Sequence, residues 1–174
     1  MKNNIKNLTY TALLIAFAII IPLFFTPLRI VIGPFSATLA SHVPVFLAMF
    51  LGPTSAIMVG VGSTLGFLAA GTPIWIVARA FMHVFIGLMG AMMLKKGISF
   101  KKVAIITSPI HGILEGLAVL PFKNMFGFST EFIMVTVLVG SILHHLADGF
   151  ISNLLVQALT KSGRATFIKN VSAK

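Results

Sequence analysis

A chain of 174 residues that is 57% hydrophobic and 9% charged does not read as a soluble domain, since such domains are about 25% charged. It contains no cysteine, which excludes a disulfide framework and any thiolate metal centre. A formal charge of +10 invites a nucleic-acid partner, but the basic residues flank apolar runs, where they report membrane orientation instead.

The apolar runs predict an all-α membrane protein of six transmembrane helices, in one integral membrane domain over 1–174 with no soluble domain at either end. The spans are expected at about 8–25, 36–51, 53–71, 73–94, 102–121 and 130–160. Lys2 and Lys6 precede the first run, which continues past Ile21 without a small-residue cleavage pattern, so it reads as a spanning helix and not a signal peptide. Thr26-Pro27 and Gly33-Pro34 bracket the first loop, Gly52-Pro53 makes a tight second one, and Gly71-Thr72-Pro73 a third. The fourth runs from Lys95-Lys96-Gly97 to Lys101-Lys102, and the fifth from Phe122 to Ser129. Ser129 or Thr130 is placed to cap the last helix, with Glu131 near its positive end.

With the N-terminus inside, the cytoplasmic segments hold ten basic residues: Lys2, Lys6, Lys95, Lys96, Lys101, Lys102, Lys161, Arg164, Lys169 and Lys174. The outer segments hold two, Arg29 and Lys123. This positive-inside bias requires an even number of spans and puts both termini in the cytoplasm. The excess also favours contact with anionic lipid heads. Ala12 and Ala16, Gly62 and Gly66, Gly87 and Ala91, and Gly112 and Gly116 form small-xxx-small pairs that let helix backbones approach closely. Gly60-Val61-Gly62 has no strand–turn–helix context and is no dinucleotide fingerprint. No internal repeat is evident.

Three spans carry ionisable pairs one helical turn apart: Arg79 with His83, His111 with Glu115, and His144 with Asp148. Such residues in a bilayer cost roughly 2.5–3.5 kcal/mol each on insertion scales and face a cavity or a partner. At about 1.5 Å per residue, Arg79, Glu115 and His42 fall in one layer, and His83, His111 and His144 in a second. Both layers lie in or near the outer half, with His145 beside His144 and Asp148 deeper, so an outward-opening pocket is expected. Trp75, Phe81, Phe122 and Phe126 would give it aromatic walls, with Lys123 and Asn124 at its edge. Bland readings stand beside this one. Arg79 and Glu115 neutralise each other, the histidines act as interhelical glue, and Trp75 is an interface anchor. His42 satisfies backbone groups freed by Pro44, and Asp148 braces the sixth helix.

The stretch Thr11-Ala12-Leu13-Leu14-Ile15-Ala16, in a six-span chain of this size, resembles the S components of energy-coupling factor (ECF) vitamin transporters. In that family an alanine-xxx-alanine face docks on a shared transmembrane coupling subunit. Ala40-Ser41-His42-Val43-Pro44-Val45-Phe46-Leu47-Ala48-Met49-Phe50 and Val77-Ala78-Arg79-Ala80-Phe81-Met82-His83 are most similar to the niacin-type members.

The resemblance implies a substrate-binding subunit of an ATP-driven importer in the plasma membrane, partnered by the coupling subunit and two ATPase subunits and moving by toppling in the bilayer. It implies docking through Ala12 and Ala16. It implies a vitamin pocket involving Arg79, His83, Glu115, Lys123 and His144, with Trp75 beside them and His42 fitting less well; the shared depth adds His111 as a substrate-binding candidate. An arginine in an apolar pocket suits a carboxylate and aromatic walls a pyridine, which also admits pantothenate or another carboxylated vitamin. No Walker motif is present, so the chain is not expected to hydrolyse ATP itself; separately, no other catalysis, cofactor or resident metal is expected of it. The competing reading is an intramembrane metal transporter or metalloenzyme using the histidines with Glu115 and Asp148. The sequence has no His-Glu-x-x-His motif, and Met1-Lys2-Asn3 lacks the N-terminal histidine expected of metal-type S components. A third reading makes the chain a structural subunit whose pairs are helix glue.

Overall fold

The computed structural model describes residues 2–127 and 129–163; Arg164, Lys169 and Lys174 of the charge count lie outside them. Helix α1 (Lys2–Phe24) is followed by a 3-10 turn (Thr26–Leu28), strands β1 (Arg29–Ile32) and β2 (Phe35–Thr38), and helix α2 (Val43–Met49). Then come α3 (Pro53–Ala69), α4 (Ile74–Lys95), α5 (Phe100–Val119), a 3-10 segment (Leu120–Met125) and α6 (Thr130–Lys161). Proline opens α3, and Pro73 precedes α4, as the Gly-Pro boundaries imply. Ser129 caps α6 by accepting from the Phe132 N–H at 3.2 Å. The chain is an all-α membrane protein with one small hairpin. Four helices, α1, α4, α5 (with its 3-10 extension) and α6, are long and apolar enough to cross a membrane, and α3 is a shorter apolar helix.

The expected helix over 36–51 is not formed. The turn at Gly33 (φ +54°) folds β1 and β2 into an antiparallel hairpin, with Arg29 opposite Thr38 and Ile32 opposite Phe35. Helix begins only at Val43. Two contacts hold the intervening turn out of helix: the N–H groups of Ala40 and His42 donate to the Asp148 carboxylate of α6, at 2.8 and 3.0 Å. Ala40 sits at φ +67°, a left-handed conformation that costs an alanine about 1 kcal/mol and that these contacts hold in place. Arg29 ties the hairpin to α1 by donating to the carbonyl of Pro22 and to Thr38 Oγ1, both at 3.1 Å.

Glycine sets the helix packing. A Cβ at Gly66 would lie 2.7 Å from backbone atoms of Ala18 and Ile19 on α1, and one at Gly60 2.8 Å from the backbone of Val84 on α4. Gly112 and Gly116 face Leu138, Ile142 and Met134 of α6, and Gly87 faces Ala56 and Val45. Three of the four small-residue pairs are thus spent inside the bundle. Ala12 and Ala16 are exposed. Pro109 deprives the Ile105 carbonyl of its helical donor, and Ser108 Oγ supplies one at 2.9 Å.

The bundle has two unlike ends. Phe46, Met49, Phe50, Leu94, Phe100 and Val103 form an apolar core at the end where Lys95, Lys96, Lys101 and Lys102 connect α4 to α5. Phe35, Val119, Ile133 and Val137 close the opposite end under the hairpin. Between these two cores lies the polar interior.

Candidate functional site

Every side chain of the three one-turn pairs except His144 is buried, and His144 is nearly so. The helices therefore enclose a polar layer that must satisfy itself. Arg79 of α4 donates to Glu115 Oε2 of α5 from Nη2 at 2.8 Å and from Nε at 3.2 Å. Nη2 and Nη1 also reach the hairpin, donating to Ser36 O (3.0 Å) and Ser36 Oγ (3.3 Å). Its guanidinium carbon lies 5.1 Å from the centroid of the Phe35 ring, a cation–π contact. Ser141 Oγ of α6 also donates to Glu115 Oε2. One guanidinium thereby joins α4, α5 and the hairpin.

One level away lie five histidines. The ring of His42 is 4.6 Å from that of His83, 4.8 Å from His111, 4.5 Å from His144 and 5.6 Å from His145, centroid to centroid. Asp148 Oδ2 meets His42 Nδ1 at 2.8 Å and His144 Nε2 at 3.1 Å. His144 Nε2 is also 3.1 Å from the Thr38 carbonyl. Ser63 Oγ holds His83 Nδ1 at 2.9 Å, and Thr107 Oγ1 holds His145 Nε2 at 2.9 Å. His145 Nδ1 and His111 Nδ1 are 3.0 Å apart, so one donates and the other accepts. His111 Nε2 and Glu115 Oε1 are 3.4 Å apart.

His42 does not belong to the arginine layer, where helical rise had put it; it sits at the centre of the histidine layer. The reason is the hairpin. An extended strand advances about 3.3 Å per residue against 1.5 Å in a helix, so with Ser36 at Arg79 the chain carries His42 a level deeper. Asp148 does brace α6, by fastening the start of α2 to it.

A small cavity of about 20 Å³ is lined by Ser36, Phe67, Ile76, Arg79, Ala80, His83, Glu115 and His144. Trp75 lies one turn before Arg79, half-buried, with its ring 4.9 Å from Phe126. Phe81 is 43% exposed and packs against Phe85, so it walls no interior pocket. Lys123 is exposed on the 3-10 segment and does not line the cavity. An apolar groove of about 560 Å³ runs between the hairpin and α6, reaching His144 and bounded by Phe35.

Ser36, Ser63, Thr107 and Ser141 were not anticipated as partners, and His145 was given no partner. A signal for part of this set exists in the sequence. Ser141, His145, Asp148 and Ser152 recur at spacings of four, three and four, tracing one face of α6, and all four are fully buried.

The chain is 35% identical to the niacin transporter NiaX of Lactococcus lactis subsp. cremoris over 175 aligned positions, which cover 92% of this chain and 78% of the relative. No protein-family model matches it, and no solved structure matches it.

Proposed function

The chain belongs to the same family as that niacin transporter, and from this premise we propose that it is the substrate-binding membrane subunit of an ECF importer that takes up niacin. The observation that carries the substrate reading is a buried guanidinium. Niacin is a pyridine carboxylate, and Arg79 offers a planar fork of donors suited to a carboxylate. Trp75, one turn from Arg79, and Phe126, packed against it, would supply aromatic surfaces. His83 and His144 line the same cavity, and His144 would bond the ring nitrogen.

A cavity of about 20 Å³ has room for little more than a water, so binding requires an opening. The bonds from Arg79 to Ser36 and the contact of His144 with Thr38 are those a ligand would replace. The hairpin would move away from α4 and α6, and a carboxylate would take the place of Ser36 on Arg79. Glu115 would stay paired with Arg79 and hold its plane.

The reading places six membrane-crossing elements, with α2 and the hairpin together forming the second. The lysine-rich end and both termini would be cytoplasmic, following the excess of basic residues there, and the hairpin would face outward at the plasma membrane. Energy for uptake would come from a coupling subunit with two ATPases, docked on the exposed alanine face of α1. Leucine at both Ala12 and Ala16 is expected to abolish uptake in cells that hold the full transporter, while the isolated subunit binds niacin within about twofold of the parent. Loss of binding as well would show that this face supports the fold and is no docking surface.

The substrate is tested by gentle purification, extraction and mass spectrometry of the bound small molecule. Niacin at about one per chain is the expected result. Pantothenate or another carboxylated vitamin in its place would correct the substrate, and no binding of radiolabelled niacin by the purified protein would sink it.

A further inference from the structure

We propose that His42, His83, His111 and Glu115 form a binding site for a divalent transition-metal ion of the zinc type. Each offers a ligand atom, these atoms lie within 4.8 Å of one another, and all four residues are buried. Nε2 of His42 and Nε2 of His111 are buried with no hydrogen-bond partner. His42 Nε2 is left with no partner and His111 Nε2 with only Glu115 Oε1, 3.4 Å away, an arrangement that a bound cation would satisfy.

The far side of each ring is already organised as metal ligands require, with the second ring nitrogen held by another group. His42 Nδ1 faces Asp148 at 2.8 Å, an arrangement in which the Nδ1 proton goes to the carboxylate and leaves the Nε2 lone pair free. His83 Nδ1 is taken by Ser63, leaving Nε2 as its ligand atom. His111 Nδ1 meets His145, itself held by Thr107. Glu115 divides its oxygens. Oε2 serves Arg79 and Ser141, while Oε1 turns toward His111 Nε2.

Three imidazoles and one carboxylate oxygen are a common donor set for tetrahedral zinc. In such a set, bonds of about 2.1 Å put ligand atoms about 3.4 Å apart, the spacing His111 Nε2 and Glu115 Oε1 already have; the other ligand atoms would close in from at most 4.8 Å. The other histidine–carboxylate group, His42 with His144 and Asp148, is already closed by hydrogen bonds of 2.8 and 3.1 Å.

Charge favours the same occupant. With neutral histidines, the buried ionisable groups among the described residues are one cation, Arg79, and two anions, Glu115 and Asp148, a net of −1. A dication changes that to +1, and an added monocarboxylate then brings it to zero. Without the dication, a bound carboxylate would leave −2 in a low-dielectric interior, which is unfavourable. The anion's share in this balance rests on the vitamin reading; the cation site stands without it.

The test uses the purified full chain, stripped with EDTA and titrated with Co²⁺ and then Zn²⁺ in the absence of any vitamin. About one Co²⁺ per chain is expected, with the intense visible bands of tetrahedral coordination, displaced by Zn²⁺. His111→Gln and His83→Ala should each weaken Co²⁺ binding by more than about tenfold, and His144→Ala, which keeps all four ligands, should retain the spectrum. Monodisperse elution checks that each variant is folded; if neither ligand variant folds, the parent titration decides alone. A folded, stripped parent that takes up no Co²⁺ or Zn²⁺ overturns the site, as does a His111→Gln protein with an unchanged spectrum. Niacin binding is measured separately on the same samples. Metal uptake without niacin binding removes the vitamin reading and keeps the cation site, and niacin binding with no metal uptake does the reverse.

Discussion

Replacement of Arg79 by alanine is expected to reduce niacin binding by at least about a hundredfold, the scale of losing a buried charge-assisted carboxylate contact. The single substitution has a second effect, because it leaves Glu115 as an unpaired buried carboxylate, at a cost of about 3–5 kcal/mol. A variant that combines Arg79→Met with Glu115→Gln removes both charges and separates the two effects. It should recover most of the thermal midpoint in detergent while still failing to bind. Arg79→Lys keeps the charge but not the fork that spans Glu115 and Ser36, so it should bind measurably and more weakly than the parent. Calorimetric titration with niacin on all three variants is the measurement. Near-parental affinity in the double variant would mean that the guanidinium is helix glue and that the vitamin sits elsewhere.

The second large effect belongs to Asp148. Its carboxylate accepts from the Ala40 and His42 backbone N–H groups and meets the His42 and His144 rings, all in the interior. Asp148→Ala leaves the Ala40 and His42 donors without a partner, and a loss of about 3–5 kcal/mol is expected. For a chain of this size that corresponds to a fall in thermal midpoint of roughly 6–20 °C. Asp148→Asn keeps one acceptor oxygen and should fall between the parent and the alanine variant. Midpoints of the purified proteins, followed by fluorescence of the sole tryptophan, Trp75, give the comparison. An alanine variant within about 2 °C of the parent would mean that water replaces the carboxylate at the start of α2.

The helical framework was readable because membrane helices advertise themselves by length and by their punctuation. Pro53, Pro73 and Ser129 stand at or just before the starts of α3, α4 and α6, and the one-turn spacing correctly put His111 with Glu115 and His144 with Asp148. The stretch 36–42 reads as the start of the 36–51 span because its composition suits a strand or a helix equally, and what decides between them is a carboxylate more than a hundred residues away. That misreading propagated into depth, so His42 was given to the wrong layer. The hydroxyl partners Ser36, Ser63, Thr107 and Ser141 were hard to single out for a different reason. Serine and threonine are frequent at membrane helix contacts, and only the register of α6 distinguishes Ser141 from the rest.

The fastening of α2 to Asp148 also bears on how the chain is made. Ribosomal synthesis delivers the hairpin and α2 well before α6, so the one residue that receives the Ala40 and His42 N–H groups arrives more than a hundred positions after its donors. Until then Arg79 and Glu115 can pair, since both precede α6, but His42 has no carboxylate and α2, at seven residues, is too short to hold itself in a bilayer. A nascent chain therefore stays unlatched until α6 inserts. The arrival of one aspartate separates an unlatched chain from a latched one.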